Sequence, residues 1–351
     1  MSASRLGEYY RIDGRKLSRL YKDHLSDYRT WDQLGHASDW ILLADNIGPR
    51  LCIDETEING DLFTILSNPE GHGKDGSVVA MVRGTRADVV LKVLMLMGEE
   101  RRLAVREVSM DFSESMLTIV NGAFPEAMIV TDKFHMIKLA VDALEELRLR
   151  YKREAVAQYR REERRFNAKV RDRKKRRSDY RKKHKCKCKG KKRGRKPIYV
   201  GRYKPEVLAN GDTLVELLTR SKYLLSQPGD KWTVRQKERA RLLFERYPKI
   251  REVYSLVCSL RQIFNSDSSR ERATELLQQW YGKVTESTVR EIKSVRDTIR
   301  RREEHVMNYF VNRSTNAPAE SLNSKIKCFR AELRGVGDAP YFMYRVATVL
   351  G

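Results

Sequence analysis

Asp54 closes the apolar run Leu51-Cys52-Ile53-Asp54-Glu55, and Asp111 closes Val108-Ser109-Met110-Asp111. If the two runs are neighbouring strands, both carboxylates emerge at the same edge of a sheet. Adjacent carboxylates repel and raise each other's pKa unless a divalent cation lies between them. Mg²⁺ is the natural candidate, because it takes oxygen ligands and keeps several waters for a phosphate-bearing substrate. A lone Asp at a strand end is ordinarily just a polar residue, so the reading depends on a third acid. Ser314-Thr315-Asn316-Ala317-Pro318-Ala319-Glu320 supplies one, since Pro318 marks the first turn of a helix that runs on as SLNSKIKCFRAEL. Leu322, Ile326, Phe329 and Leu333 form a narrow apolar stripe that must face a core, leaving Glu320, Ser324 and Lys327 on the other side. A Glu in a first turn is also favoured by the helix dipole alone. Both readings of Glu320 stand at this point.

The elements that would carry these acids are legible from Arg50 onward. LCIDETEI, DLFTILSN and SVVAMVRG are short runs rich in β-branched residues, separated by Asn-Gly and a Gly-rich stretch, and read as three strands joined by hairpin-like turns. Thr85 to Arg102 reads as a helix with Thr85 as N-cap. VREVSMD is a fourth strand, SESMLTIVNGAF a helix, AMIVTD a fifth strand, and Lys133 to about Arg165 a long helix. Three strands, helix, strand, helix, strand, helix is the element order of an α/β ribonuclease H-like core, a mixed five-stranded sheet flanked by helices, although other α/β domains share a similar string. Residues 1–48 read as short helices or an arm, 49–141 as the alternating strands and helices, 142–313 as strongly helical apart from a basic stretch, and 314–351 as further helices.

Lys and Arg number 71 against 47 Asp and Glu, a net charge of +24, while a 40% hydrophobic content supplies a real core. A polyanion is the first partner to consider. Residues 171–196 hold 17 Lys or Arg against two Asp, and such a block is expected to be mobile until it meets phosphate. A solvated tether is the bland alternative; counterion release favours nucleic-acid contact. Within it, Lys192-Arg193-Gly194-Arg195-Lys196-Pro197 is close to a minor-groove arm. No apolar run approaches the ~18 residues of a membrane span, and MSASRLGEYYRIDGRK has no signal-peptide centre, so a cytoplasmic protein without a membrane partner is expected. Five scattered cysteines argue against a disulfide framework, and Cys186 and Cys188 with His184 fall short of the four ligands of a zinc site.

The pieces IDET, VSMDFSESM, VTDKFHMIKL, the tryptophan of LLQQWY, and STNAPAESLNSKIKCFRAELRGVG, in that order, resemble the DDE transposases of the ISL-three group of bacterial insertion sequences. The likeness runs from about Arg50 to the C-terminus. It implies a ribonuclease H-like core with a helical insertion between the second Asp and the Glu. It also implies that Asp54, Asp111 and Glu320 are catalytic and hold two Mg²⁺ or Mn²⁺ ions. Asp132 and His135 recur near the active site of that family and are given a supporting role. Asn316 and Asn323 match its SNxxxE-x-x-N pattern, seen here as TNAPAESLN, and would position Glu320 or touch DNA. Trp280 matches a recurrent position that could stack on an exposed base, although a core tryptophan is the plainer reading. Lys325 and Lys327, with Lys192, Arg193 and Arg195 of the basic segment, complete the expected DNA contacts.

Members of that family usually begin with a cysteine-containing zinc segment and a helix-turn-helix. Residues 1–48 contain no cysteine and are too short for both, so a separate polypeptide supplying end recognition is one expectation. The resulting expectation is metal-dependent cleavage and strand transfer of double-stranded DNA by a homodimer or larger assembly. The rivals are a degenerate, non-catalytic DNA-binding protein and a nuclease of the same fold.

Overall fold

The computed structural model describes residues 3–183, 202–332 and 337–351. Cys186, Cys188, Lys192, Arg193, Arg195 and Leu333 lie outside the described residues. The chain divides into two compact units, one of Met1–Lys138, Ile263–Gln279 and Asp297–Gly351, the other of Leu139–Gln262 and Trp280–Arg296.

The first unit is built on one six-stranded sheet: β1 (Trp40–Leu42), β2 (Arg50–Ile58), β3 (Asp61–Ser67), β4 (Val78–Arg83), β5 (Glu107–Met110) and β6 (Met128–Thr131), in the order β1-β4-β3-β2-β5-β6. The first four strands pair antiparallel, whereas β5 and β6 join β2 in parallel. Asn59 and Gly60 form the β2–β3 turn with φ of 58° and 88°, the left-handed pair that a tight hairpin needs. Parallel neighbours require crossovers, and helices Ala87–Leu94 and Glu114–Ala123 provide them.

Alternation along the strands decides what each face meets. Leu51 and Ile53 of β2, Val108 and Met110 of β5 and Ile129 of β6 pack with Val90, Val93, Met116 and Ile119 of the crossover helices. On the opposite face Ile58, Ile65 and Met81 meet Leu322 and Ile326 of helix Ala317–Glu332 and Phe342 and Val346 of helix Ala339–Leu350.

Three expectations change. The sheet has six strands rather than five, because Trp40–Leu42 adds an edge strand in a region read as short helices or an arm. Three residues are too few for periodicity to distinguish strand from helix, and pairing with β4 decides. The expected helix from Thr85 breaks into Ala87–Leu94, a short 3-10 turn and Glu99–Leu103, because Gly98 takes a φ of 78°. Thr85 does not cap it; the N-cap is Arg86, with no side-chain capping bond. The long helix expected to end near Arg165 runs over Lys133–Lys183. Lys and Arg are good helix formers, so the first half of the basic tract extends the helix.

The second unit has no strand among its described residues. Leu217, Leu243, Ile250, Val257, Trp280 and Ile292 are buried within it. Helices Leu214–Arg220 and Val234–Arg246 both start with capping boxes, from Thr213 to Glu216 and from Thr233 to Gln236.

Candidate active site

Strand register brings the aspartates together. Cys52 pairs with Ser109 across β2 and β5, and Ser109 pairs with Val130 across β5 and β6. Two residues further on stand Asp54, still within β2, and Asp111 and Asp132, each one residue past the end of β5 and β6. They therefore sit level and on one face, the face that packs Leu322 and Ile326. The Asp132 N–H donates to Met110 O at 2.9 Å, which carries the ladder just past β6. Asp54 is not at a strand end: β2 continues to Ile58, and Asp54 stands where β2 has lost its parallel neighbour.

Helix Ala317–Glu332 is tied to this point by two amides. Asn316 Nδ2 donates to Ile53 O at 3.2 Å, and Asn323 Nδ2 donates to the Asp54 carboxylate at 2.7 Å. The two asparagines are two turns apart and so share a helix side, with Glu320 exposed between them. Asn323 Oδ1 is buried and has no partner in the protein. Lys327 is exposed, whereas Lys325 Nζ is committed to the carbonyls of His72 and Gly73 at 3.2 and 3.0 Å.

Charge dominates the local energetics. The Asp54 pKa is raised to about 6, by burial first and also by the charges of Asp111 and Glu320, against the Glu55 N–H bond and His135, which lower it. Glu55 is raised as well, by burial first and then by Asp111 and Asp54. His135 lies 3.4 Å from Asp132; that contact is the main reason its pKa is raised, with Asp111 and Asp54 acting in the same sense. Asp111 Oδ1 accepts the Ser113 N–H at 2.9 Å, and the loop beyond it is held by a buried arginine. Arg302 donates to Ser113 O at 3.4 Å, lies 4.8 Å from the Phe112 ring centroid and pairs with Glu114 at 2.5 Å. Sequence reading missed Arg302, which is one of several arginines in a charged run.

An acid whose pKa is higher in the folded chain stabilises the fold while protonated and loses that contribution as pH rises. The protein without added cations is therefore expected to be most stable below about pH 4 with respect to Asp54 and to lose up to roughly 2–3 kcal/mol as pH climbs through 6. Asp54→Asn should flatten that slope. Thermal melts of both proteins between pH 4 and 8 check it, and parallel slopes would refute it.

The three acids interact at the range of charge. Among the described residues no three His, Cys, Asp or Glu side chains converge closely enough to enclose a cation. The donor chemistry nevertheless fits Mg²⁺, since all are hard carboxylate oxygens whose mutual repulsion a cation relieves and the partnerless Asn323 Oδ1 adds a neutral oxygen.

Trp280 does not belong here. It is 1% exposed in the second unit and its Nε1 donates to Leu256 O at 2.9 Å, so its ring has no face to offer a base. Core packing accounts for it fully.

No curated protein and no solved structure matches the chain. The ISL-three family of DDE transposases, described as transposase, matches residues 51–346, which takes in β2 at one end and most of helix Ala339–Leu350 at the other. The chain belongs to that family, the DDE transposases of insertion sequences.

Proposed function

We propose that this transposase cleaves DNA strands and transfers them with Asp54, Asp111 and Glu320 as its catalytic acids. The observation that carries the reading is the parallel register that sets Cys52 beside Ser109, two residues before Asp54 and Asp111, with Asn323 of the Glu320 helix bonded to Asp54. These acids would hold two divalent cations, Mg²⁺ or Mn²⁺, which when bound stabilise charge on the phosphoryl oxygens during in-line displacement. Asp132, 3.4 Å from His135, favours the charged form of that imidazole, which would offset part of the carboxylate repulsion and donate a hydrogen bond to a phosphate oxygen. Asn316 and Asn323 position the helix, and Arg302 positions the Asp111 loop. Lys327 and the basic helix bind the DNA backbone.

In this assignment the sheet unit is the ribonuclease H-like catalytic core and the helical unit is the body of the insertion expected over 142–313, of which 263–279 and 297–313 belong to the sheet unit. Joining two element ends to a target calls for two active sites, hence a dimer or larger assembly. A nicking assay on the element's own ends, with and without Mg²⁺, tests the proposal. Cation-dependent cleavage is expected, and a protein that binds those ends without nicking them would be a DNA-binding relic instead.

A further inference from the structure

A cavity of about 460 Å³ adjoins the proposed catalytic acids on the same face of the sheet. Cys52, Glu107 and Ser109 line it from the strands, and Ser314, Thr315 and Pro318 line it from the segment that leads into the Glu320 helix. Cys52 and Ser109 are the residues two positions before Asp54 and Asp111. Whatever occupies the cavity therefore neighbours the position where a phosphodiester would be cut.

Its chemistry is selective. Glu107 is only 3% exposed, and Asn312 Nδ2 donates to one of its oxygens at 2.6 Å. A carboxylate accepts hydrogen bonds and donates none, so it repels phosphate and favours a group that presents N–H. The buried Ser109 hydroxyl stands beside it and can either donate or accept. The basic side chains in its lining are Arg50, His72 and Arg313. Arg313 is held by the carbonyls of Ser266 and Ser268 at 2.8 and 2.6 Å, whereas Arg50 is half exposed and shares only a 3.3 Å contact with Glu70. Its exposure leaves Arg50 able to turn toward a backbone phosphate. The volume falls in the range of small-ligand pockets, roughly 300–1,000 Å³.

We propose that this cavity receives one unstacked nucleobase next to the scissile phosphate and that Glu107 reads an amino or ring N–H edge of that base. The inference rests on the catalytic assignment only for its location. Carboxylates are the side chains that accept from the exocyclic amine of cytosine in DNA readout, and enzymes acting at a nucleotide commonly take a base out of the stack. Glu107 would thus set a base preference at one position beside the cut. Purely backbone contacts cannot supply such a preference.

The test uses the full chain and duplexes of the element's own end, each with 2-aminopurine at one position around the cleavage site, in Ca²⁺ so that the bound DNA stays uncut. One position is expected to brighten severalfold on binding. Ser314→Trp, which fills the cavity from the loop side, should abolish that signal. Glu107→Gln keeps an oxygen for Asn312 but replaces one acceptor with a donor. It should lower affinity for the natural base about tenfold and remove the penalty of an abasic site at that position. If no position brightens with the unaltered protein, or if both variants melt normally and behave like it, the proposal is overturned. The readout does not need turnover. Full cleavage by Asp111→Asn would sink the catalytic assignment and leave this result standing, and the reverse also holds.

Discussion

Asp111→Asn is expected to bind the element's ends as tightly as the unaltered protein and to cut them about a thousandfold more slowly in Mg²⁺. The replacement retains an oxygen for the Ser113 N–H, so the loop held by Arg302 should stay in place. What it removes is one unit of negative charge level with Asp54. A bound divalent ion contributes several kcal/mol of transition-state stabilisation, and each 1.36 kcal/mol is a tenfold change in rate, hence the magnitude. Loss of rate should come without loss of fold. Asp111 raises the pKa of both Asp54 and Glu55, so neutralising it relieves repulsion and the metal-free variant should melt no lower than the parent at neutral pH. Strand-cleavage kinetics, DNA binding and a thermal melt on the same preparation separate these effects. Undiminished cleavage would remove Asp111 from the chemistry.

The candidate site was only partly legible in the sequence. Asp54 and Asp111 interrupt apolar strand patterns where a polar residue must find some use, and TNAPAESLN places a helix start just before an acid. The Asn-Gly turn and the β-branched runs likewise announced β2, β3 and β4, because local pattern and final structure agree there. What stayed hidden depends on pairing between distant segments. Nothing in VTDKF shows that Asp132 comes level with the other two aspartates, since that follows from the β5–β6 register, and register lies between strands rather than within either. Glu107 was unreadable for the same reason: its burial and its bond to Asn312 join residues more than two hundred positions apart. The edge strand Trp40–Leu42 exists because β4 offers it a partner. At Trp280 the plainer of the two readings, a core tryptophan, is the one that its burial fits.

The second large effect concerns salt. Binding of this protein to duplex DNA is expected to weaken about 10³- to 10⁵-fold between 50 and 200 mM salt, the loss that accompanies roughly six to ten phosphate contacts. The cations are in place for it: Arg171, Arg173, Lys174, Lys175, Arg176, Arg177, Lys182 and Lys183 are all exposed on the last turns of helix Lys133–Lys183. Like charges at that density repel along a helix, and each close pair costs a few tenths of a kcal/mol when no anion is near. An uninterrupted helix through such a run is therefore poised to gain from a polyanion, which turns mutual repulsion into attraction and releases counterions. A solvated tether would show the repulsion without the gain. Replacing Lys174, Lys175, Arg176 and Arg177 by Gln distinguishes the two, because Gln is also a good helix former and leaves the backbone undisturbed. If these side chains touch phosphates, the slope of log K against log salt should flatten by up to about 3.6, or roughly 0.9 for each phosphate that is no longer neutralised. Fluorescence anisotropy over a salt series measures it. An unchanged slope would assign DNA attraction to other cations and leave this part of the helix as a spacer.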